Sequence, residues 1–124
     1  MIKLDHTYVS VLDMDRAIKF YEELLEMKIT HREEDTWADF DMGGGVYFGL
    51  INPKYVAKER IIGNNTMPVF STDNVDEAYE KVKAMGVEII SPLETLDYTD
   101  YFYRVFNCKD TEGNLIEIAQ YKRD

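Results

Sequence analysis

Apolar and polar residues change their spacing along this 124-residue chain, and the changes mark its elements. In HTYVSV, beginning at His6, the residues His6, Tyr8 and Ser10 fall on one side and Val9 and Val11 on the other. That is the alternation of a half-buried strand. The spacing then lengthens. Ala17, Phe20, Tyr21, Leu24 and Leu25 form one apolar stripe at helical intervals, with Glu22 and Glu23 outside it. The acidic link LDMD before the stripe offers Asp13 or Asp15 as the helix N-cap. Strand-like runs follow in MKITHRE, TWADFDM and VYFGLIN, and Gly43, Gly44 and Gly45 divide the last two as a hairpin turn rather than a phosphate loop.

The same order then recurs. MPVFST aligns with HTYVSV, so that Met67 falls on His6, Ser71 on Ser10, Asn74 on Asp13, Asp76 on Asp15 and Ala78 on Ala17. Ala78, Val82 and Met85 make the second helical stripe, capped by Asn74 or Asp76 and closed by Gly86. VEIIS, DYFYRVFNCKD and NLIEIAQY are strands, the last two joined by a hairpin link from Asp110 to Gly113. The pattern predicts strand, helix and three strands, twice, within a single domain over 1–124. Repeat one spans about 1–52, a linker or lid about 53–65, and repeat two about 66–124. A helix on one face of each sheet leaves the other face uncovered. The fold class expected is α+β: two tandem βαβββ units curling into an incompletely closed β-barrel around a cavity, with the helices outside. Val9, Val11 and Phe70 are then core, and His6, Tyr8, Ser10, Met67, Val69 and Ser71 line the cavity.

Composition narrows the chemistry. Fourteen basic against twenty-four acidic residues give a formal charge of −10. That disfavours nucleic acid and anionic membranes, both of which are held by Lys and Arg. Cys108 is the only cysteine, so neither an intrachain disulfide nor a cysteine-built zinc site is possible, and it is expected to be structural. There is no apolar run of the roughly 20 residues that a membrane span needs, nor one suited to a signal peptide. The expected location is cytoplasmic. Glu117 lies among Leu115, Ile116 and Ile118 and needs a partner, for which His6 and Arg104 are candidates. His31 is expected at the surface. Tyr8, Trp37, Tyr47, Tyr101 and Tyr103 all fall on strands. Tyr101 and Tyr103 share one face, and Phe102, Arg104 and Phe106 the other. Whichever face meets the cavity supplies an aromatic cup for a small flat or cationic ligand.

The paired units, the opening HTYVSVLDMDRAIKFYEELL and above all the closing DTEGNLIEIAQ resemble the glyoxalase, bleomycin-resistance and extradiol-dioxygenase superfamily, also called vicinal oxygen chelate proteins. The resemblance covers nearly the whole chain. The family's closing motif is usually Asp-Pro-Asp-Gly-Asn followed by an apolar–Glu pair, and here Thr111 and Glu112 replace the Pro and Asp. Arg104 sits where many members have an arginine. The resemblance implies a divalent metal (Zn, Ni, Mn or Fe) acting as Lewis acid on vicinal oxygens. Its ligands would be a first-strand His and a last-strand Glu from each unit. His6 and Glu117 match two of those positions, as metal ligands or as catalytic acid/base groups. Met67 and Gly49 stand at the other two. A thioether is a soft, neutral ligand, and glycine offers none.

The expectation is therefore a small-molecule-binding protein with an incomplete metal site. Its ligand would be bound by Tyr8, Trp37, Met67, Tyr101, Tyr103 and Arg104. The alternative is a divalent-metal lyase, isomerase or dioxygenase, of lactoylglutathione-lyase type if a lyase. An interaction module with a vestigial cavity is the third reading. Family habit and open strand edges imply a homodimer.

Overall fold

Two short polar side chains start the helices. Asp13 accepts from the Arg16 N–H (3.0 Å) and opens α1 (Met14–Leu25). Asn74 accepts from the Glu77 N–H (3.1 Å) and opens α2 (Val75–Ala84). Each cap satisfies one of the N–H groups that a helix start leaves without a partner. The two other candidates look outward: Asp15 pairs with Arg32 (2.9 Å) and Asp76 with Arg104 (2.7 Å). Gly86, at φ +78, follows α2 in the left-handed conformation that glycine adopts without strain.

The computed structural model describes residues 1, 4–55, 66–97 and 101–123, and the side chains of residues 55, 101, 122 and 123 fall outside that description. The chain forms two compact units, Met1–Ile62 and Gly63–Asp124. The first holds β1 (His6–Ser10), α1, β2 (His31–Glu33), β3 (Trp37–Asp41) and β4 (Tyr47–Ile51), then a 3-10 turn at Pro53–Tyr55. The second holds β5 (Val69–Ser71), α2, β6 (Ile89–Asp97), β7 (Tyr101–Lys109) and β8 (Leu115–Arg123). The sheet orders are β1-β4-β3-β2 and β5-β8-β7-β6. In each, the first strand runs parallel to the last and the remaining pairs are antiparallel. The architecture is α+β with one βαβββ topology used twice. Among the described residues no helix is long and apolar enough to cross a membrane.

The strands depart from the sequence pattern in three places. MKITHRE contributes only His31–Glu33 to β2, because its first residues finish the helix: Met27 N–H donates to the Glu22 carbonyl (3.2 Å) and Ile29 N–H to the Glu22 carboxylate (3.0 Å). β6 runs beyond VEIIS to Asp97, through Pro92, with register shifts between Ile89 and Ser91 and between Ser91 and Glu94. Those irregularities let a residue without an N–H sit in an edge strand. Met67 precedes β5 instead of lying in it. The central part of the expected linker or lid, 56–65, lies outside the described residues.

Alternation sets the core of each unit. Val9, Val11, Ala38, Phe40, Phe48 and Leu50 pack with Met14, Ala17, Ile18, Phe20 and Tyr21 of α1, all buried. The Tyr21 ring meets Phe48 at 5.0 Å and Phe40 at 6.5 Å. In the second unit Val75 and Val82 are buried, as are Phe106, Cys108, Ile116 and Ile118, and Tyr79 meets Phe106 at 4.9 Å. Phe70 is only half-buried, whereas Ser10, of the opposite parity to Val9, is buried. Burial, then the Asp110 charge, pushes the Cys108 thiol up to about 12, so Cys108 is a packed side chain and not a nucleophile.

The DTEGN hairpin is fastened from within. The buried Asp110 carboxylate accepts from the Glu112 N–H (2.8 Å), the Asn114 N–H (2.9 Å) and the Asn114 side-chain amide (3.0 Å). This fixes the entry to β8 and hence the register that presents Glu117.

The caps can be tested directly. Asp13→Ala and Asn74→Ala should each cost about 1 kcal/mol in urea unfolding with an unchanged slope. An unmoved midpoint would show that the cap is not used.

Candidate functional site

Register decides which side chains meet on the face turned away from α1. In the first unit His6 pairs with Tyr47, Tyr8 with Gly49, Asp39 with Gly49 across the next strand, and Trp37 with Ile51. Partners across a ladder share a face, so His6, Tyr8, Trp37, Asp39, Tyr47 and Gly49 stand together. Three rings then cluster. The His6 and Tyr8 rings lie 5.8 Å apart at 27°, near parallel. The Trp37 indole stands roughly perpendicular to both, 5.7 Å from His6 at 86° and 5.6 Å from Tyr8 at 74°.

The indole lies over Gly49. A Cβ on Gly49 would sit 2.3 Å from Trp37 Cη2 and 2.6 Å from Cζ2, far inside van der Waals contact. Only glycine admits the ring in this position. The same edge of the indole is tied down at its pyrrole nitrogen: Nε1–H donates to Asp39 Oδ2 (2.9 Å). The other oxygen, Oδ1, accepts from His31 Nδ1 (2.9 Å), and the His31 ring lies 6.2 Å from Tyr47. A carboxylate can only accept, so His31 carries its proton on Nδ1. His6 Nδ1 likewise donates to Asp5 Oδ2 (2.8 Å), which leaves Nε2 as the acceptor in the neutral ring.

In the second unit, Glu117 pairs with Val69 on one side and Asn107 on the other, and Tyr103 pairs with Tyr121. Tyr103, Asn107, Glu117 and Tyr121 therefore share the face turned away from Phe106 and α2. The Tyr103 hydroxyl donates to Glu117 Oε2. Asn107, with its amide nitrogen turned to the carboxylate, donates to Oε1 (3.2 Å). Tyr103 stacks on Tyr121 at 4.5 Å and 11°. Partial burial, and then the hydrogen bond to Glu117 and its charge, push the Tyr103 phenol above its ordinary range.

The sequence profile of the glyoxalase/bleomycin resistance protein/dioxygenase superfamily matches residues 3–118. The chain belongs to that superfamily. It is 30% identical to the Bacillus subtilis (strain 168) protein YwbC over 125 residues, covering 95% of this chain and 97% of YwbC. Solved structures share the fold. A glyoxalase/bleomycin resistance protein from Albidiferax ferrireducens T118 matches with a TM-score of 0.76 at 18% identity, covering 94% of this chain and 98% of that one. A lactoylglutathione lyase from Agrobacterium tumefaciens matches with a TM-score of 0.74 at 16% identity, covering 97% and 94%.

The ladders give the superfamily alignment a structural footing. Gly49 stands beside Tyr8 as Glu117 stands beside Val69, and His6 and Met67 each lie two residues earlier. The four positions that the resemblance to the superfamily implies for metal ligands are His6, Gly49, Met67 and Glu117. They suit a divalent metal poorly. At Gly49 an indole fills the space that a side chain would need, Met67 offers a half-buried thioether, and both oxygens of Glu117 accept hydrogen bonds. Among the described residues no group of three or more His, Cys, Asp or Glu is placed to hold a metal.

Of the residues picked out from sequence, the first unit brings together His6, Tyr8 and Trp37, and the second brings together Tyr103 and Glu117. Arg104 is on the other face of β7. Its guanidinium donates to both oxygens of Asp76 (3.1 and 2.7 Å) and to Thr95 (2.8 Å), so it ties β7 to α2 and β6 instead of neutralising Glu117. The Tyr101 side chain lies outside the described residues. His31 is exposed, as expected, yet engaged by Asp39. Asp39 and Asn107 were not foreseen. Their signal was parity: each falls on the open-face positions of its strand, beside Trp37 and Tyr103 respectively.

Two substitutions test this geometry. Gly49→Ala should displace the indole and destabilise the unit by about 1–3 kcal/mol, with a changed Trp37 emission. An unchanged emission and melting point would contradict the close approach. Glu117→Gln removes the carboxylate charge, so the Tyr103 phenol should titrate at lower pH than in the parent. Tyrosine carbon NMR would report this, and an unmoved titration would contradict the pairing.

Proposed function

We propose that this protein binds a small, flat organic molecule, neutral or cationic, and does so on an aromatic surface built where its superfamily would hold a metal. The observation that carries the reading is Trp37 lying over Gly49. In place of a carboxylate, the first unit presents an indole flanked by the rings of His6 and Tyr8. Rings set at right angles offer both π-faces and ring edges to a flat partner. Acidic groups stand close by: Asp39 and Asp41 share this strand face, with Asp5 beside His6. Acid next to aromatic rings favours a cation over an anion. Glu117, with Tyr103 and Asn107 donating to it, is a fixed acceptor in the second unit.

A second reading draws on one specific feature. Asp5 orients His6 so that Nε2 is the acceptor in the neutral ring, an arrangement typical of metal-binding histidines. On that reading the protein is a divalent-metal lyase, isomerase or dioxygenase, with His6 and Glu117 as ligands or proton carriers. A homodimer is part of both readings, because each sheet has two edge strands within its unit.

Calorimetry on the untagged protein separates them. Titration with Zn, Ni, Mn or Fe(II) should show no binding at sub-millimolar metal. Acriflavine, a flat cation, should bind, and Trp37→Ala should weaken it about tenfold or more. A stoichiometric, tightly held metal lost on His6→Ala or Glu117→Ala would sink the ligand-binding reading in favour of the second.

A further inference from the structure

Asp39 is a buried carboxylate, 9% exposed, on the face that otherwise carries the ring cluster. Burying a charge is costly unless hydrogen bonds satisfy it, and both of its oxygens are satisfied in a particular way. Oδ2 takes the Trp37 indole N–H and Oδ1 takes the His31 imidazole N–H, each at 2.9 Å. Trp37 and His31 sit on different strands, β3 and β2, and Asp39 is cross-strand partner to His31 on one side and to Gly49 on the other. The carboxylate is thus the midpoint of a line running from an exposed imidazole to the indole that covers Gly49.

A tryptophan side chain has two rotatable torsions. A hydrogen bond at Nε1 and a backbone surface under its six-membered ring fix both. Gly49 supplies the surface but no attraction of a directional kind. Asp39 supplies the direction.

We propose that Asp39 is the positioning residue of the ring cluster: its carboxylate holds the Trp37 indole over Gly49 and so sets the surface that a ligand meets. The consequence for ligand affinity rests on the reading given under Proposed function. The placement of the indole does not.

Asparagine at 39 keeps one acceptor oxygen for Trp37, and its amide can donate to His31 Nδ1 once the imidazole carries its proton on Nε2. Alanine serves neither. Trp37 is the only tryptophan in the chain, so its emission reports one ring. In ligand-free Asp39→Ala, Trp37 emission should move to longer wavelength and acrylamide should quench it more strongly, with the far-UV circular dichroism of the sheets retained; Asp39→Asn, which keeps an acceptor for the indole, should move in the same direction by less. If Asp39 variants do not fold, His31→Ala decides. It removes one partner from an exposed position and should raise quenching in the same direction by a smaller amount. Emission and quenching identical to the parent in every folded variant would overturn the proposal.

Acriflavine titration forms a separate arm. Affinity weakened about tenfold in Asp39→Ala, together with the emission shift, supports both the positioning and the ligand reading. Failure of the parent to bind acriflavine, with the emission shift still present, leaves the positioning supported and overturns the ligand reading alone.

Discussion

Each four-stranded sheet of this protein has one helix of its own, and a sheet has two faces. Because successive strand side chains point to opposite sides, the helix buries one parity and releases the other from packing against it. In the first unit the helix takes Val9, Ala38, Phe40, Phe48 and Leu50. The released set contains His6, Tyr8, Trp37, Asp39, Tyr47 and Gly49. In the second unit the released set contains Tyr103, Asn107, Glu117 and Tyr121. The chemistry of the molecule is concentrated on those positions, and its stability on the others. Even the hairpin motif shared with the superfamily serves that division, since the Asp110 network fixes the register by which Glu117 reaches the released face.

Within the released set of the first unit, the absence of one side chain is matched by the presence of another. Gly49 leaves a gap of the size of a small side chain, and the indole of Trp37 occupies it so closely that a single methyl group would collide. Replacing a charged ligand by an uncharged ring changes what the surface can attract. A carboxylate suits a hard cation, whereas on the proposed reading the indole beside Tyr8 and His6 receives a flat neutral or cationic group. The superfamily fold is compatible with both, which is why the fold alone does not choose the function. In the second unit Glu117 is engaged by two donors, the Tyr103 hydroxyl and the Asn107 amide.

Much of this was legible in the sequence because it depends on local spacing. The strand alternation around Val9, the helical stripe through Phe20 and Tyr21, and the capping links that offer Asp13 or Asp15 and Asn74 or Asp76 are all decided within a few residues. The internal repeat exposed Gly49 and Met67 as odd members of their set. What the sequence concealed depends on register. Asp39 looked like one more acid among twenty-four until the β2–β3–β4 ladders put it between His31 and Gly49. Arg104 and Tyr103 are neighbours in sequence, and only the pairing of β7 with β8 assigns one to Asp76 and the other to Glu117. The alternation marked a strand only over VEIIS, yet register shifts carry β6 on past Pro92 to Asp97. Alternation predicts that two faces differ, but which residues touch across a face is set by how strands slide against one another.

The central claim is a contact between two assignable groups, and proton NMR reads it without any ligand. Trp37 is the only tryptophan, so its Hη2 and Hζ2 resonances are unambiguous. If the indole lies over Gly49, those protons give strong nuclear Overhauser effects to the Gly49 Hα protons, which are shifted upfield by the ring current. Gly49 Hα resonances at ordinary strand positions, with no cross-peak to the indole, would contradict the account.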